Sequence, residues 1–432
     1  MDIRVEQMTI RVNVLKLVLI IAVFLMAGCD RGSSDRVPEP EQQTPLRFVD
    51  ASRGLPSTGL WREGIWFFDM NGDGHMDIVA PPPRKASEKY SGPIAWYGNG
   101  KGEWAETRLE VPSDVGFDYG AIVVSDFDGD GIPDIALAMH MMGLRVLKGV
   151  GQGKYVDFSG GVPPAGQFLS RALVSADFNN DGAPDIAALS EAQFSMDSPR
   201  PKGIWSCYRS DEAWQCGPIE GEDEGGLVFL FGDQIFTGDV NGDGNQDIAA
   251  ASLAVQNNRI VWLGDGKGGF SPFTEGLPQH VYYLALALGD MDHDGKDDLV
   301  ASISGIGQEG FLGLKAFLSR PDGFVEVSEG LPDGLFTALG TGDLDGDGAL
   351  EVVAGTADGG LRVFSWKDGT WHEMEASGLP KNGLQKIYRI YCMDLNKDGL
   401  KDIAINYAGK ETSGGISVFY NSGTGKKQEG KE

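Results

Sequence analysis

The chain has 432 residues, enough for one large repeat domain or two or three ordinary ones. Gly reaches 63 residues and the hydrophobic fraction is 41%, a mixture that suits many short strands joined by tight turns and excludes a body of long helices. With 63 acidic against 36 basic residues the net charge is −27, so nucleic acid and anionic membrane surfaces are poor partners, and a compact fold needs bound cations to offset the repulsion.

The first element in chain order is an export signal. Arg4, Arg11 and Lys16 precede an apolar run from Leu17 to Ala27 that ends at Gly28-Cys29. That run is shorter than the ~20 helical residues needed to span a bilayer and reads as a signal-peptide core. Met26-Ala27-Gly28-Cys29 resembles the lipobox of bacterial lipoproteins, which implies that Cys29 is lipidated and becomes the mature N-terminus. The expectation is an exported chain in the bacterial cell envelope, held to a membrane through its lipid alone. Residues 1–28 are then the signal peptide, 29–45 a disordered polar tether and 425–432 a disordered polar tail.

Residues 46–424 form a repeat array. The pattern Asp-x-(Asp/Asn)-x-Asp-Gly-x-x-(Asp/Glu)-(Ile/Leu/Val) occurs seven times, starting at Asp69, Asp126, Asp177, Asp239, Asp290, Asp343 and Asp394. The spacings are 57, 51, 62, 51, 53 and 51 residues, so the unit is about 51 residues with insertions. Each copy lies between two apolar stretches, as Ala121–Ser125 and Asp134–Ala138 do around the second. A third stretch precedes a Gly-rich turn, and a fourth begins at the aromatic after it and closes on Gly-Leu-Pro, at Gly54, Gly276, Gly330 and Gly378, with a Val variant at Gly161. Four short strands per unit describe one blade of an all-β, seven-bladed β-propeller. The seventh unit lacks its fourth strand, while Leu46 to Pro56 supplies one at the other end, so the N-terminal strand is expected to complete the last blade and close the ring.

The loops carry calcium chemistry. Calcium takes six to eight oxygens, and oxygens at positions one, three, five and nine with the carbonyl at position seven can converge on one ion. Gly at position six permits the sharp turn. Together the loops bring 24 acidic groups into tight turns, which repel one another without a cation. An EF-hand would need Glu at position twelve between helices. Ala80 and Ala188 stand there in the first and third copies, and strand-like runs follow.

These loops, their blade context and their period resemble FG-GAP/VCBS repeats, as in the integrin α-subunit propeller and many bacterial surface proteins. The resemblance implies a loop joining the first and second strands of each blade and binding mainly structural calcium, up to seven ions here. By position the ligands are Asp69, Asn71, Asp73, His75 and Asp77 in the first copy, and Asp126, Asp128, Asp130, Ile132 and Asp134 in the second. The third offers Asp177, Asn179, Asp181, Ala183 and Asp185, and the fourth Asp239, Asn241, Asp243, Asn245 and Asp247. The fifth has Asp290, Asp292, Asp294, Lys296 and Asp298, the sixth Asp343, Asp345, Asp347, Ala349 and Glu351, and the seventh Asp394, Asn396, Asp398, Leu400 and Asp402. Residues at position seven, His75 and Lys296 among them, act through the backbone carbonyl. From Cys29 onward 33 bases stand against 61 acids, a net −28, and seven calcium ions would halve it.

Of the remaining cysteines, Cys207 and Cys216 flank a turn between two aromatic-containing strands and suit a disulfide in an oxidising envelope. Cys392 lies in an apolar stretch and reads as a buried core residue.

In an up-and-down blade the calcium loops and Gly-rich turns share one face, and the longest insertions fall on the other. That second face is the expected ligand surface for a glycan or protein, through Trp61, Arg62, Arg84, Lys85, Tyr90, Arg200 and Lys202. A non-catalytic binding or adhesion module is the leading reading. A polysaccharide-active enzyme resembling the lyases that carry such repeats, and a scaffold subunit of an envelope complex, are the alternatives. No nucleophile elbow, zinc motif or phosphate loop occurs in the chain, and no catalytic residue is assigned.

Overall fold

The computed structural model describes residues 45–85, 92–113, 116–140, 142–164, 168–190, 203–210, 213–219, 234–251, 259–305, 310–410 and 413–424. The chain divides into residues 1–43 and 44–432. The signal peptide, Cys29, the tether up to residue 44 and the tail lie outside the described residues.

The described residues of the second unit form seven sheets, each built on an antiparallel four-stranded blade, and no helix. The second blade is representative: Gly120–Ser125, Asp134–Met139, Gly143–Gly149 and Tyr155–Asp157 pair in sequence order. The buried apolar residues of the blades fall into seven clusters, one in each seam between neighbouring blades. The blade geometry explains why the second strands are mostly apolar after their opening acid. Successive side chains alternate between two seams, so Ile78 and Ala80 pack toward the seventh blade and Val79 toward the second. Both faces are buried, and no polar alternation survives.

Among the described residues, five of the seams are closed at the outer edge by the same device. The Gly of Gly-Leu-Pro has a left-handed backbone, and a Cβ there would meet the carbonyl oxygen of the aromatic that opens the next blade's fourth strand. At Gly161 that oxygen belongs to Trp214 at 2.1 Å, at Gly276 to Phe324 at 2.0 Å and at Gly330 to Trp371 at 2.2 Å. Only Gly meets both demands. The Trp214 and Trp371 indoles donate to the Phe158 and Val327 carbonyls of the preceding blade, at 3.0 and 2.8 Å.

The ring closes as expected from the sequence. Leu46–Asp50 pairs antiparallel with Gly414–Thr424 as the fourth strand of the seventh blade. It also runs parallel to a two-residue strand, Ala376–Ser377, of the sixth. The closing strand reproduces the general seam, because a Cβ on Gly378 would lie 1.9 Å from the carbonyl oxygen of Phe48. On the inner side the Tyr391 hydroxyl of blade seven accepts the Ile65 amide of blade one at 3.0 Å.

First strands line the axis around a cavity of about 330 Å³, mostly apolar, with Gln234, Thr237, Thr341 and Arg389 among its walls. Cys392, at the edge of this cavity, packs against the core cluster between the sixth and seventh blades as expected, and burial pushes its thiol up to about 12. The Gln234 amide donates across the axis to the Tyr388 carbonyl at 3.3 Å. Cys207 and Cys216 face each other across adjacent strands, 4.1 Å apart at Cα, and are joined in a disulfide.

Candidate metal loops and the two faces of the ring

All seven Asp-rich loops connect the first and second strands of their blades. One hydrogen-bond frame recurs in each. The carboxylate at position one accepts the amide of the position-six Gly, at 2.8 Å for Asp69, Asp126 and Asp177 and up to 3.1 Å for Asp343. The other three lie within the same range, with Asp239 and Asp394 at 2.9 Å and Asp290 at 3.0 Å. At position five one oxygen accepts the amide of position seven, from 2.8 Å at Asp73 to 3.1 Å at Asp294. The position-six glycines have φ between 82° and 92° in open space, so the backbone conformation and not crowding selects Gly. Position four is left-handed too, even where it is Asn180, His293 or Lys397.

Two positions fasten the loop to the blade. Position two carries an apolar side chain that enters a seam, as Phe127, Phe178, Val240, Met291, Leu344 and Leu395 do, each no more than 3% exposed. Position nine is a buried acid in every loop, 0–1% exposed. One of its oxygens accepts the position-two amide, from 2.7 Å at Asp247 to 3.1 Å at Asp185. In five blades the other accepts an amide of the third strand, as Asp134 does from Gly149 at 2.7 Å and Asp298 from Ser319 at 2.7 Å. Sequence reasoning gave position nine a metal-ligand role alone and passed over position two. The signal for the latter was present, since all seven copies have Met, Phe, Val or Leu there.

Burial dominates the electrostatics of position nine, against the pull of its hydrogen bonds, and neighbouring carboxylates add to it. It pushes Asp77, Asp134 and Asp402 up to about 6. Asp185, Asp247 and Asp298 rise to about 7, and Glu351 to about 8. A buried acid beside further carboxylates needs either a proton or a cation. Three loops bring three carboxylates within 4.8 Å of one another and could hold a metal ion: Asp126, Asp128 and Asp134; Asp290, Asp292 and Asp294; Asp343, Asp345 and Asp347. In the other four loops position three is an Asn, whose amide oxygen is neutral. An all-oxygen donor set of this kind suits a hard divalent cation.

Neighbouring loops also touch. Asn180 donates to the Asn245 amide oxygen at 2.8 Å, Asp297 accepts the Asp239 amide at 2.9 Å, and Lys397 of the seventh loop donates to the Gly74 carbonyl of the first.

The opposite face is less regular. Arg62 and Lys386 each lie 4.7 Å from the Tyr388 ring, and Arg84 lies 4.7 Å from the Tyr119 ring, which stacks on His140 at 4.8 Å. Lys85 is exposed beside Arg84. Trp61 departs from expectation. It is 4% exposed, meets Trp96 edge-on at 5.3 Å and donates its indole N–H to the Thr58 carbonyl, so it is a core residue of the closing seam and offers no ligand surface. Tyr90, Arg200 and Lys202 lie outside the described residues.

Comparison with known proteins gives the same frame. The family model of the FG-GAP-like repeat matches residues 126–188, 239–301 and 343–405, stretches that between them contain the second to seventh loops. No curated protein sequence matches the chain. Among solved structures, BBS1N in complex with ARL6DN, soaked with mercury, is similar at 11% identity with a TM-score of 0.50, over 86% of this chain and 96% of that one. The V. cholerae biofilm matrix protein Bap1 is similar at 12% identity with a TM-score of 0.44, over 89% of this chain and 92% of that one. The chain thus carries FG-GAP-like repeats within a seven-bladed β-propeller.

Proposed function

We propose that the protein is a calcium-stabilised, envelope-anchored binding module, non-catalytic, whose ligand is a glycan or protein met on the face away from the loops. The observation that carries this reading is the division of labour between the faces. Each loop is tied into a seam at positions two and nine, so its acids are committed to the frame. All seven loops would take calcium, through positions one, three, five and nine and the carbonyl at seven. The ion would supply charge neutralisation and hold the first two strands of each blade together. The lipid at Cys29 would keep the exported ring at a membrane.

The opposite face supports ligand contact through cationic groups stacked on aromatic rings, Arg62 and Lys386 on Tyr388 beside the axial cavity and Arg84 on Tyr119. Such groups recognise acidic or sugar surfaces. A ring of this fold has been solved with a protein bound, BBS1N with ARL6DN, which keeps a protein ligand within the same reading. The test is a glycan-array and pull-down comparison of the chain with an Arg62→Ala, Arg84→Ala, Lys386→Ala variant. Loss of a ligand that wild type retains supports the reading. Equal capture by both would overturn the face assignment.

A further inference from the structure

The seven loops fall into two classes that differ at one atom. The outer oxygen of the position-five Asp, Oδ2, has a partner in every loop. Where position three is Asn, its own side-chain amide supplies it: Asn71 to Asp73 at 3.1 Å, and Asn179 to Asp181, Asn241 to Asp243 and Asn396 to Asp398 at 3.0 Å. Where position three is Asp, that amide is missing and a base from the blade's third strand takes the place. Lys148 lies 2.8 Å from Asp130, Arg320 3.1 Å from Asp294 and Lys367 3.6 Å from Asp347. Lys148 also pairs with Asp128, and Arg320 with Asp292 at 2.5 Å, so two of the three bases reach the fourth carboxylate itself.

The placement follows strand register. Lys148 stands one step beyond the Ile135–Leu147 pair, while Arg320 and Lys367 stand three steps beyond the equivalent pairs, on the same side of the strand by alternation. At these two positions the Asn-containing blades have Tyr97 and Asn99, Tyr208 and Ser210, Leu263 and Asp265, and Tyr420 and Ser422, none of them basic. The fifth loop adds Lys296, whose ammonium lies 2.6 Å from Asp294. A fourth carboxylate therefore always arrives with a third-strand cation, and never without one.

We infer that Lys148, Arg320 and Lys367 are built-in counter-ions, which hold the three four-carboxylate loops together when calcium is scarce and weaken calcium binding there. The inference rests on the calcium reading above. A cation beside the site repels the incoming ion, yet relieves the repulsion among the carboxylates when the ion is gone. Opposite effects on the two states separate this role from plain packing, which would support both alike.

The experiment is calorimetric calcium titration and thermal melting of the full chain, wild type against a Lys148→Met, Arg320→Met, Lys367→Met variant. Lys315→Met is the control, a third-strand base paired with Glu326 at 3.3 Å away from the loops. Three calcium sites should tighten, each by roughly tenfold at low salt. The melting temperature should fall in excess chelator and match wild type in saturating calcium. Adding Asp128→Asn to Lys148→Met restores the Asn pattern in the second loop and should recover the chelator-state melting lost by Lys148→Met alone, which keeps the test usable if the triple variant folds poorly. Unchanged or weaker calcium binding in the variants, or a melting loss that persists at saturating calcium, overturns the inference. A wild type that takes up no calcium overturns the calcium reading together with it.

Discussion

The two faces of the ring are built by opposite rules. On the loop face one ten-residue frame is repeated seven times, with its side chains buried in seams or bonded to the loop backbone, the third strand or a neighbouring loop. On the other face the connections share little beyond Gly-Leu-Pro, and the charged groups rest on aromatic rings. A surface made of one frame repeated in every blade suits bracing of the ring. A surface whose residues differ from blade to blade is free to acquire a ligand.

The sharpest way to break the comparison is at the one regular element of the second face. Gly330→Val would place a Cβ 2.2 Å from the Trp371 carbonyl oxygen at φ 93°. The change should cost about 3 kcal/mol or more in urea unfolding, since neither strain nor clash can relax without opening the seam. If it is tolerated, the seams do not depend on this packing. Next comes position nine. Asp134→Ala leaves the buried Phe127 and Gly149 amides without acceptors and should cost roughly 2–4 kcal/mol, in calcium as well as in chelator. An effect seen only in calcium would make position nine a ligand and nothing more.

The pH response follows from the same buried acids. Burial holds them at about 6 to 8 in the fold, above the ordinary 3.8 for Asp and 4.5 for Glu, so the metal-free fold binds protons more tightly than the unfolded chain. In chelator the stability contributed by these groups is present at about pH 4 and lost as pH rises toward 8. Calcium replaces the protons, so the gap between calcium and chelator melting curves should widen over that range. A gap that narrows would contradict the account. The smallest effect belongs to the opposite face, where Arg84→Ala should change stability by less than about 1 kcal/mol, the worth of one exposed cation–π contact.

Much of this architecture was legible in the sequence because a repeat writes the same physical demand seven times. The loop pattern, the four strands per unit, the closing N-terminal strand and the Cys207–Cys216 pairing all followed from spacing and local chemistry. The two-faced use of position nine did not, because its hydrogen bonds run to a third strand some 15–21 residues away in the chain. The third-strand bases were hidden for the same reason, since pairing Lys148 with Asp128 and Asp130 requires the strand register. Trp61 misled because it follows a Gly-Leu-Pro linker on the variable face, and nothing local shows that its ring turns into the closing seam against Trp96.

The central claim is that bound calcium braces the ring, and thermal melting with and without chelator at neutral pH tests it most directly. Ions at several loops, each worth about 2–3 kcal/mol at saturating concentration, should lower the melting temperature by at least about 10 °C when removed. Superimposable melting curves in calcium and in chelator would contradict the account.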